Sequence, residues 1–508
     1  MFFVSQLRRA ASLLVLAGSA LLASAPQAAQ ARLIEAHTAA AAHDTASSNA
    51  ANTAANPAVS SAPIIALTGG QLLDGHEGSV IANGTIVIQG KTILDAGPAH
   101  QVAIPEGAHI ISTHGRTMMP GLIDLHIHLD LLGHGDYGRY YDFIKGESRL
   151  DEIYPLAAKQ LLRAGVTTAA DLGSPLSILK TKADIEAGLI PGPRLKVSGP
   201  WITRIKLDGV PDSYQLVITS PKEAAEAVDY LAKSGVDVVK TWLGLTQADL
   251  DAVVKAAHEH GLKVHSHLYT PESLDMALKA GVDVFQHVGS ARTPAYPDEL
   301  VSRIAHKRVP VVQTISHRIW VAPQTRDFPT RLTDPRLKDD LPADLYAEMQ
   351  DSFKNWQRLS YFQHIGDETR GSKLSAHQFI EAGAYMGVGT DAASPLNFHL
   401  DAMATEMQAL TDVGMTRAQV LHAATKTGAE VLDLYSQTGT IEPGKIADII
   451  VVNGNPMQSL EALKHVDLTI SEGRFWFDAK RAPNPFTPMD GTLSEDMRAR
   501  LAPIIRTY

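Results

Sequence analysis

Short apolar segments alternate with longer amphipathic ones through the middle of the chain, and a glycine often stands at the joint. Gly165, Gly235, Gly261, Gly281 and Gly387 each precede an apolar run, and glycine suits the left-handed position that ends a helix. We therefore predict eight strands, at residues 122–128, 167–172, 194–199, 236–242, 262–268, 282–288, 309–315 and 386–392. Eight strands that alternate with helices predict an α/β fold, a closed (β/α)8 TIM barrel.

Both ends of the ordered chain carry shorter strand-like runs separated by turn-forming residues, in segments 63–115 and 436–480. Because chain ends often meet at the surface of a domain, we predict that the two segments form one small β-sandwich. The barrel then takes residues 116–435. Its stretch at about 316–385 is longer than a usual connection and is predicted to hold a helical insert, a lid or an oligomer contact. Residues 481–508 are predicted to be a C-terminal tail, and we expect a homo-oligomer.

The first residues have the pattern of an export signal. Arg8 and Arg9 precede an apolar run, and Ala29-Gln30-Ala31 fits a cleavage site between small residues. We predict a signal peptide at residues 1–31, with an uncleaved N-terminal anchor as the alternative. Residues 32–62 are rich in Ala, Ser, Asn and Thr, which predicts a flexible low-complexity linker. The expected location is periplasmic or secreted, with no stable membrane insertion after cleavage.

The amino-acid composition excludes several kinds of catalytic and binding site. The chain of 508 residues has no cysteine, which excludes disulfides, thiol catalysis and cysteine metal sites. A net charge of −10 argues against nucleic acid as a partner, because nucleic-acid binding needs a basic surface. Any metal must therefore be bound by His, Asp, Glu, Lys or water, and the 21 histidines make such a site feasible.

Polar residues stand where the predicted strands end, which is the catalytic face of a barrel. His126 and His128 lie on the same side of the first strand because side chains alternate, so they can chelate one metal; two hydrogen-bonded core histidines are the alternative. Lys240 ends the fourth strand. Such a lysine usually extends to solvent, but a buried amine with a lowered pKa can take up carbon dioxide and become a carbamate.

Three more strands end in groups that bind metals. His265 and His267 end the fifth strand, His287 the sixth and Asp391 the eighth. Five strands thus each deliver a suitable group to one rim, which is difficult to explain by structural packing alone.

Two of these segments carry a resemblance to a known family. Pro120-Gly121-Leu122-Ile123-Asp124-Leu125-His126-Ile127-His128 resembles the opening signature of the amidohydrolase superfamily. Gly389-Thr390-Asp391-Ala392 resembles its closing strand, and Gly439–Asp448 its C-terminal β segment. The resemblance covers about residues 63–478 and is greatest to the prolidase-like and imidazolonepropionase-like branch, which includes Xaa-Arg and Xaa-Pro dipeptidases and ochratoxin-type amidases.

The resemblance implies a binuclear centre with two divalent ions. His126, His128 and Asp391 would hold the more buried ion, His267 and His287 the second, and a carbamylated Lys240 would bridge them. His265 faces the same side as His267 and is the fallback ligand. Zinc is the expected metal, although these ligands also accept manganese or cobalt.

The expected reaction is hydrolysis of an amide or peptide-like C–N bond in a small molecule by a metal-activated hydroxide, with Asp391 as proton shuttle. A dipeptide or an N-acyl amino acid is the expected substrate. Side chains near the strand ends that we expect to contact substrate are Tyr269, Arg204, Arg292 and His317. The glycine- and histidine-rich run that many relatives carry after strand three is replaced by Gly199-Pro200-Trp201, so the resemblance does not name the substrate.

Two other functions are compatible with the same barrel. One is a mononuclear deaminase or cyclohydrolase, in which a glutamate closely follows the fifth-strand histidine; here Glu272 lies five residues after His267. The other is an exported binding protein without catalysis.

Overall fold

The structure is a computed structural model that describes residues 62–288, 295–321, 330–359, 362–363, 365–477, 499, 501–502 and 504–507. The predicted signal peptide, the predicted linker up to residue 61, and Arg292 lie outside the described residues. Among the helices that are described, none is long and apolar enough to cross a membrane.

Strands from both ends of the described chain form one nine-stranded sheet. The N-terminal strands are β1 (Ile64–Leu72), β2 (Ile81–Gln89), β3 (Thr92–Pro98), β4 (His109–Ser112) and β5 (Arg116–Pro120). The C-terminal strands are β16 (Ile449–Asn453), β17 (Val466–Ser471), β18 (Arg474–Phe477) and β19 (Ile505–Thr507). Their order in the sheet is β19-β18-β17-β16-β5-β1-β2-β3, with β4 paired to β1.

The two ends meet where β5 pairs antiparallel with β16, and Met119 lies opposite Ile450. Strand β5 lies beyond the predicted boundary at residue 115, and β19 comes from the segment predicted as a tail. Buried side chains such as Ile65, Ile449 and Phe475 form a core of their own within this sheet. The division into domains, and a sandwich as such, stays a prediction.

The middle of the chain forms two parallel sheets, and each of the eight predicted strands overlaps one of their strands. One sheet contains β6 (Leu122–Ile127), β7 (Val166–Asp171) and β8 (Arg194–Val197). The other has the order β10-β9-β11-β12-β13-β14-β15. Its strands are β9 (Trp201–Thr203), β10 (Gln215–Val217), β11 (Val238–Thr241), β12 (Lys263–His267), β13 (Val284–Gln286), β14 (Val311–Val312) and β15 (Met386–Gly387). Strands β9 and β10 were not predicted.

Helices connect these strands, and capping side chains or glycines stand at several of their ends. The helices are α1 (Tyr137–Phe143), α2 (Leu150–Arg163), α3 (Ile178–Glu186), α4 (Pro221–Ser234), α5 (Gln247–Glu259), α6 (Pro271–Ala280), α7 (Asp298–His306), α8 (Pro335–Asp340), α9 (Ala343–Ser352), α10 (Ile365–Glu381), α11 (Ala402–Asp412), α12 (Arg417–His422) and α13 (Gly428–Val431). Thr246 caps α5 by accepting from the Asp249 backbone N–H, in a capping box. Gly235 ends α4 at φ 89°, a left-handed conformation that glycine adopts without steric cost.

The predicted insert contains α8 and α9, and it packs on the first βα loop. Arg139 of α1 donates to Glu348 of α9 at 2.5 and 2.8 Å. His134 of the loop lies 3.4 Å from the same carboxylate. The insert therefore contacts the loop that follows β6.

A buried ion pair links a parallel strand to the terminal sheet. Arg194 of β8 donates to Asp448 at 2.9 Å, and the Asp448 side chain is fully buried. We expect Asp448→Asn to lower the free energy of unfolding by about 3 kcal/mol, because it removes one partner of a buried pair. Glu472 still accepts from Arg194, which keeps the loss at the low end of the usual range.

The matched control is Asp212→Asn, which removes a 2.6 Å pair with Lys206 at a side chain that is 82% exposed. It should change the free energy of unfolding by less than about 1 kcal/mol. Urea denaturation of both variants measures the difference, and equal losses would show that the Arg194 pair does not join the two parts.

Candidate metal centre

Strand β6 and the segment after β15 are held together by one buried carboxylate, that of Asp124. It accepts from the Thr390 hydroxyl at 2.7 Å and from the backbone N–H groups of Thr390 and His126, both at 3.1 Å. This connection places Asp391 beside the first-strand histidines. Its Oδ1 lies 3.2 Å from Nε2 of His128 and 3.6 Å from Nε2 of His126.

The histidines of the fifth and sixth strand ends lie next to this group. The ring of His287 lies 4.5 Å from that of His126 and 4.3 Å from that of His267, measured between centroids. Ligand atoms of His126, His287 and Asp391 all lie within 4.8 Å of one another. The structure thus brings five of the predicted ligands together: His126, His128, His267, His287 and Asp391.

Lys240 lies in the same interior and is also fully buried. Its side chain is 1% exposed, and its Nζ has no hydrogen-bond partner in the described part of the chain. Burial lowers the pKa of Lys240 to about 7. Burial together with the charge of Lys240 also lowers the pKa of His126 and of His267 well below its ordinary value. These imidazoles are therefore neutral, the form in which imidazole binds a metal.

Asp391 is ionised in this setting. Burial alone would raise its pKa, but the hydrogen bond from His128 and the charge of His128 hold the pKa of Asp391 well below its usual range. Burial lowers the pKa of His128, but its hydrogen bond with Asp391 produces a net rise. The site consequently has an ionised carboxylate that can bind a cation.

Several residues in and beside the candidate metal centre have a left-handed backbone conformation, which sets the direction of their side chains. His287 has φ 63°, Thr314 φ 50° and Asp391 φ 56°, values that non-glycine residues adopt at an energetic cost. These residues follow the ends of β13, β14 and β15 by one, two and four residues. Nδ1 of His287 lies 2.9 Å from the Thr314 hydroxyl, which fixes the ring and leaves Nε2 directed elsewhere. Strained backbone of this kind concentrates at functional sites.

Gln286 orients two histidines, and sequence reasoning gave it no role. Its amide nitrogen lies 3.3 Å from the Leu125 carbonyl, which can only accept, so this end of the amide is the donor. The same nitrogen donates to Nδ1 of His265 at 3.0 Å, while Oε1 accepts from Nδ1 of His126 at 2.8 Å. His126 therefore keeps a bare lone pair on Nε2, whereas His265 carries its proton on Nε2. A glutamine in an otherwise apolar strand was the available signal, because a buried amide requires partners.

The donor set fits a divalent metal ion. It offers neutral imidazoles and a carboxylate in a buried site, which suit zinc and related ions. Nε2 of His126 and Nζ of Lys240 are buried polar atoms that no described group satisfies. Such atoms are costly in a folded protein unless a ligand binds them.

The predicted substrate contacts separate into two groups. The Tyr269 ring lies 4.4 Å from that of His267, and His317 is buried beside Arg318, where burial lowers the pKa of His317 to about 3. Arg204, by contrast, is not directed at this cluster. Its guanidinium binds the buried Asp249 carboxylate at 2.5 and 2.8 Å, so its charge is used at the start of α5. Arg292 lies outside the described residues.

Comparison of the whole sequence with known families agrees with the geometry of the site. A profile of the amidohydrolase family matches residues 117–475. The chain belongs to this family. It is therefore a hydrolase of a superfamily that acts on C–N bonds and binds divalent metals, and the predicted membership is confirmed.

Relatives within the superfamily differ in chemistry. Imidazolonepropionase of Thermoplasma acidophilum is 23% identical over 415 residues, which cover 78% of this chain and 90% of that protein. A 5-methylthioadenosine/S-adenosylhomocysteine deaminase of Moorella thermoacetica is 25% identical over 403 residues, covering 74% and 82%. The solved structure of a Xaa-Pro dipeptidase with bound methionine superimposes with a TM-score of 0.65 at 22% identity, over 82% of this chain and all of that one. This last likeness concerns the fold.

The hydrogen bonds of the Gln286 side-chain amide lead us to expect that its replacement lowers the stability of the fold. Gln286→Leu keeps the approximate volume but leaves the Leu125 carbonyl and two imidazole nitrogens without partners. We expect the free energy of unfolding in chelator to fall by about 1–3 kcal/mol, the cost of unsatisfied buried polar groups.

The control Gln350→Leu removes a single exposed hydrogen bond to Tyr346 on α9 and should have little effect. Nitrogen-15 shifts of the histidine rings provide the second readout. They should show His126 with its proton on Nδ1 in the parent and a mixture in Gln286→Leu. Unchanged shifts and unchanged stability would contradict the orienting role of Gln286.

Proposed function

We propose that this chain is a binuclear metal-dependent amidohydrolase that hydrolyses an amide or peptide-like C–N bond of a small molecule. The observation that carries the proposal is the convergence of four histidines and Asp391 around the buried amine of Lys240. Dipeptides and N-acyl amino acids are the proposed substrates, and a homo-oligomer is the proposed assembly. Export to the periplasm or beyond is also proposed, because Arg8–Ala31 has the pattern of a signal peptide.

We also propose that the two parallel sheets are parts of one closed (β/α)8 barrel, with the terminal strands as a separate β-sandwich. Backbone hydrogen bonds at both edges support closure. The Leu125 N–H donates to the Val388 carbonyl at 3.0 Å, and that of Asp391 to the His126 carbonyl at 2.8 Å. At the other edge the Asp237 N–H donates to the Val197 carbonyl at 2.8 Å. A closed barrel explains why the ligand candidates share one rim.

His126, His128 and Asp391 would hold one ion, His267 and His287 the other, with Lys240 between them. Bound divalent ions would lower the pKa of water and polarise the substrate carbonyl, and zinc is the first expectation. Gln286 supports His267 over His265 as the fifth-strand ligand. Nδ1 of His265 already accepts a hydrogen bond from Gln286, and the proton on its Nε2 prevents that atom from binding a metal.

Lys240 is proposed to be carbamylated. Its Nζ is buried and has no hydrogen-bond partner among the described groups, so an ammonium there would be neither solvated nor paired. The neutral amine adds to the carbon of carbon dioxide, forms an N–C bond and releases one proton. The product has a negative charge and two oxygen donors, which offsets the positive charge of two divalent ions.

Asp391 is proposed to move the proton. A water molecule attacks the amide carbonyl carbon, and a carboxylate oxygen of Asp391 accepts the proton that this water loses. Asp391 then delivers the proton to the leaving nitrogen as the C–N bond breaks. Its position beside His128, at 3.2 Å, holds the carboxylate in the ionised form that this role requires.

A mononuclear deaminase or cyclohydrolase is the second candidate, favoured by the deaminase and imidazolonepropionase relatives. Two features oppose it. Lys240 occupies the interior beside the histidines, and Glu272 lies exposed in the first turn of α6. A non-catalytic exported binding protein is the third possibility, and the complete set of ligand candidates opposes it.

Metal content separates these candidates. We expect about two divalent ions per chain in the parent protein, and loss of at least one in Lys240→Ala, because the bridging ligand is gone. Elemental analysis after gel filtration measures the ratio. One ion per chain in a fully active parent would favour the mononuclear alternative, and none would favour the binding protein.

The role of Asp391 predicts a loss of turnover. Asp391→Asn keeps the shape but cannot accept a proton, so kcat on the best substrate of a dipeptide and N-acyl-amino-acid library should fall about a hundredfold or more. KM should change less. Metal content is measured on the same sample. Near-normal kcat with both ions retained would assign the proton transfer to another group.

A further inference from the structure

A row of aromatic rings borders the candidate metal centre on the side of the third to fifth strands. The rings of Trp201 and Trp242 lie 4.2 Å apart, between centroids. Trp201 lies 6.2 Å from the ring of His128, and Trp242 5.7 Å from that of His267. Tyr269 continues the row, 4.4 Å from His267. We call Trp201, Trp242 and Tyr269 the aromatic wall.

The fold holds Trp201 in a fixed position. Its indole N–H donates to the Leu172 carbonyl at 2.7 Å. Gly173 follows directly, and a Cβ at that residue would overlap the indole. The absence of a side chain at Gly173 therefore makes the space that Trp201 fills. The backbone N–H of Trp242 donates to the Ile202 carbonyl at 2.8 Å, which ties the next ring to the same short strand.

Two of the three rings of the wall keep some exposure. Trp242 and Tyr269 are partly exposed, as are His128, His267 and Asp391, whereas Trp201, Lys240 and His126 are buried. A molecule that reaches the partly exposed ligand candidates therefore lies next to the rings of Trp242 and Tyr269. Aromatic side chains that served only to pack the core would be fully buried, rather than partly exposed next to the candidate metal ligands.

The wall offers a flat and uncharged surface. The Trp201 N–H is used on a backbone carbonyl, so this side chain offers mainly its ring to a ligand. Arg318 lies 5.7 Å from the Tyr269 ring and donates to the Tyr269 hydroxyl at 3.5 Å, and its guanidinium also lies 3.7 Å from the carboxylate of Glu368. Offset or edge-to-face contact between two aromatic rings contributes about 0.5–1.5 kcal/mol beyond the burial of apolar area, a contribution that a saturated group does not make.

We propose that the aromatic wall selects amide substrates that carry an aryl group beside the scissile C–N bond. This inference rests on the proposed hydrolytic function for its biological meaning. The wall itself can be tested by binding alone. Its chemistry is recognition of a planar π surface, which differs from general recognition of apolar groups.

The direct test compares two acids, 3-phenylpropanoate and 3-cyclohexylpropanoate, by titration calorimetry on the metal-loaded full chain. Their carboxylates are the same, so only the rings differ. A merely apolar surface would favour the cyclohexyl acid, which buries more apolar area. The aromatic wall should instead favour the phenyl acid by about three- to tenfold in Kd. Equal affinities, the reverse order, or no binding of either acid would overturn the proposal.

Two variants locate the effect. Trp242→Leu should abolish the preference for the phenyl acid. Tyr230→Leu, which removes an exposed ring on α4, should leave that preference intact. A preference that survives Trp242→Leu would overturn the assignment to the wall.

Hydrolysis distinguishes this inference from the function on which it rests. The substrates are N-acetyl dipeptides that differ only by phenylalanine or cyclohexylalanine next to the scissile bond. Cleavage of both at equal kcat/KM would overturn the inference and leave the hydrolase assignment standing. Tight binding of the phenyl acid with no cleavage of any amide would support the wall and contradict the proposed function.

Discussion

The amine of Lys240 lies buried at the end of β11 without a hydrogen-bond partner in the described structure, and this burial constrains the whole site. A charged amine in such a place is costly unless it is neutralised or paired. Burial already lowers the pKa of Lys240 to about 7, and His126 and His267 beside it are neutral imidazoles. A buried amine beside neutral imidazoles is therefore unfavourable without a ligand. The site is well suited to gain an anionic group on Lys240 together with bound cations.

The surrounding structure holds the other ligand candidates in position to bind metal ions. Asp124 fixes the first strand to the segment that carries Asp391, through two hydrogen bonds to Thr390. Gln286 sets which nitrogen of His126 is bare. Left-handed backbone at Asp391 and His287 adds strain that the buried hydrogen bonds must offset. Preorganisation of this kind is what a metal site requires of its supporting residues, because a ligand that points the wrong way cannot bind.

Much of this could be predicted from the sequence, because strands and helix ends leave local patterns. The eight parallel strands and the capping of α5 follow from hydrophobic runs, glycines and the Thr246 box. Strand β9 has three residues, too few for a pattern, and β19 pairs only through contacts distant in sequence. Arg204 was assigned to substrate because the sequence cannot show that Asp249, 45 residues later, binds it. His265 and His267 share one face of a strand, so only the amide of Gln286 separates them.

Diffraction from metal-loaded crystals grown with bicarbonate would show whether two metal ions share a carbamylated Lys240. Data collected at the metal absorption edge should give two anomalous peaks about 4 Å apart, the usual separation in binuclear sites. Branched density should continue from Nζ of Lys240 and lie between the peaks, with His267 rather than His265 beside the second. A single peak, or two peaks with an unmodified Lys240 directed away from them, would contradict the account.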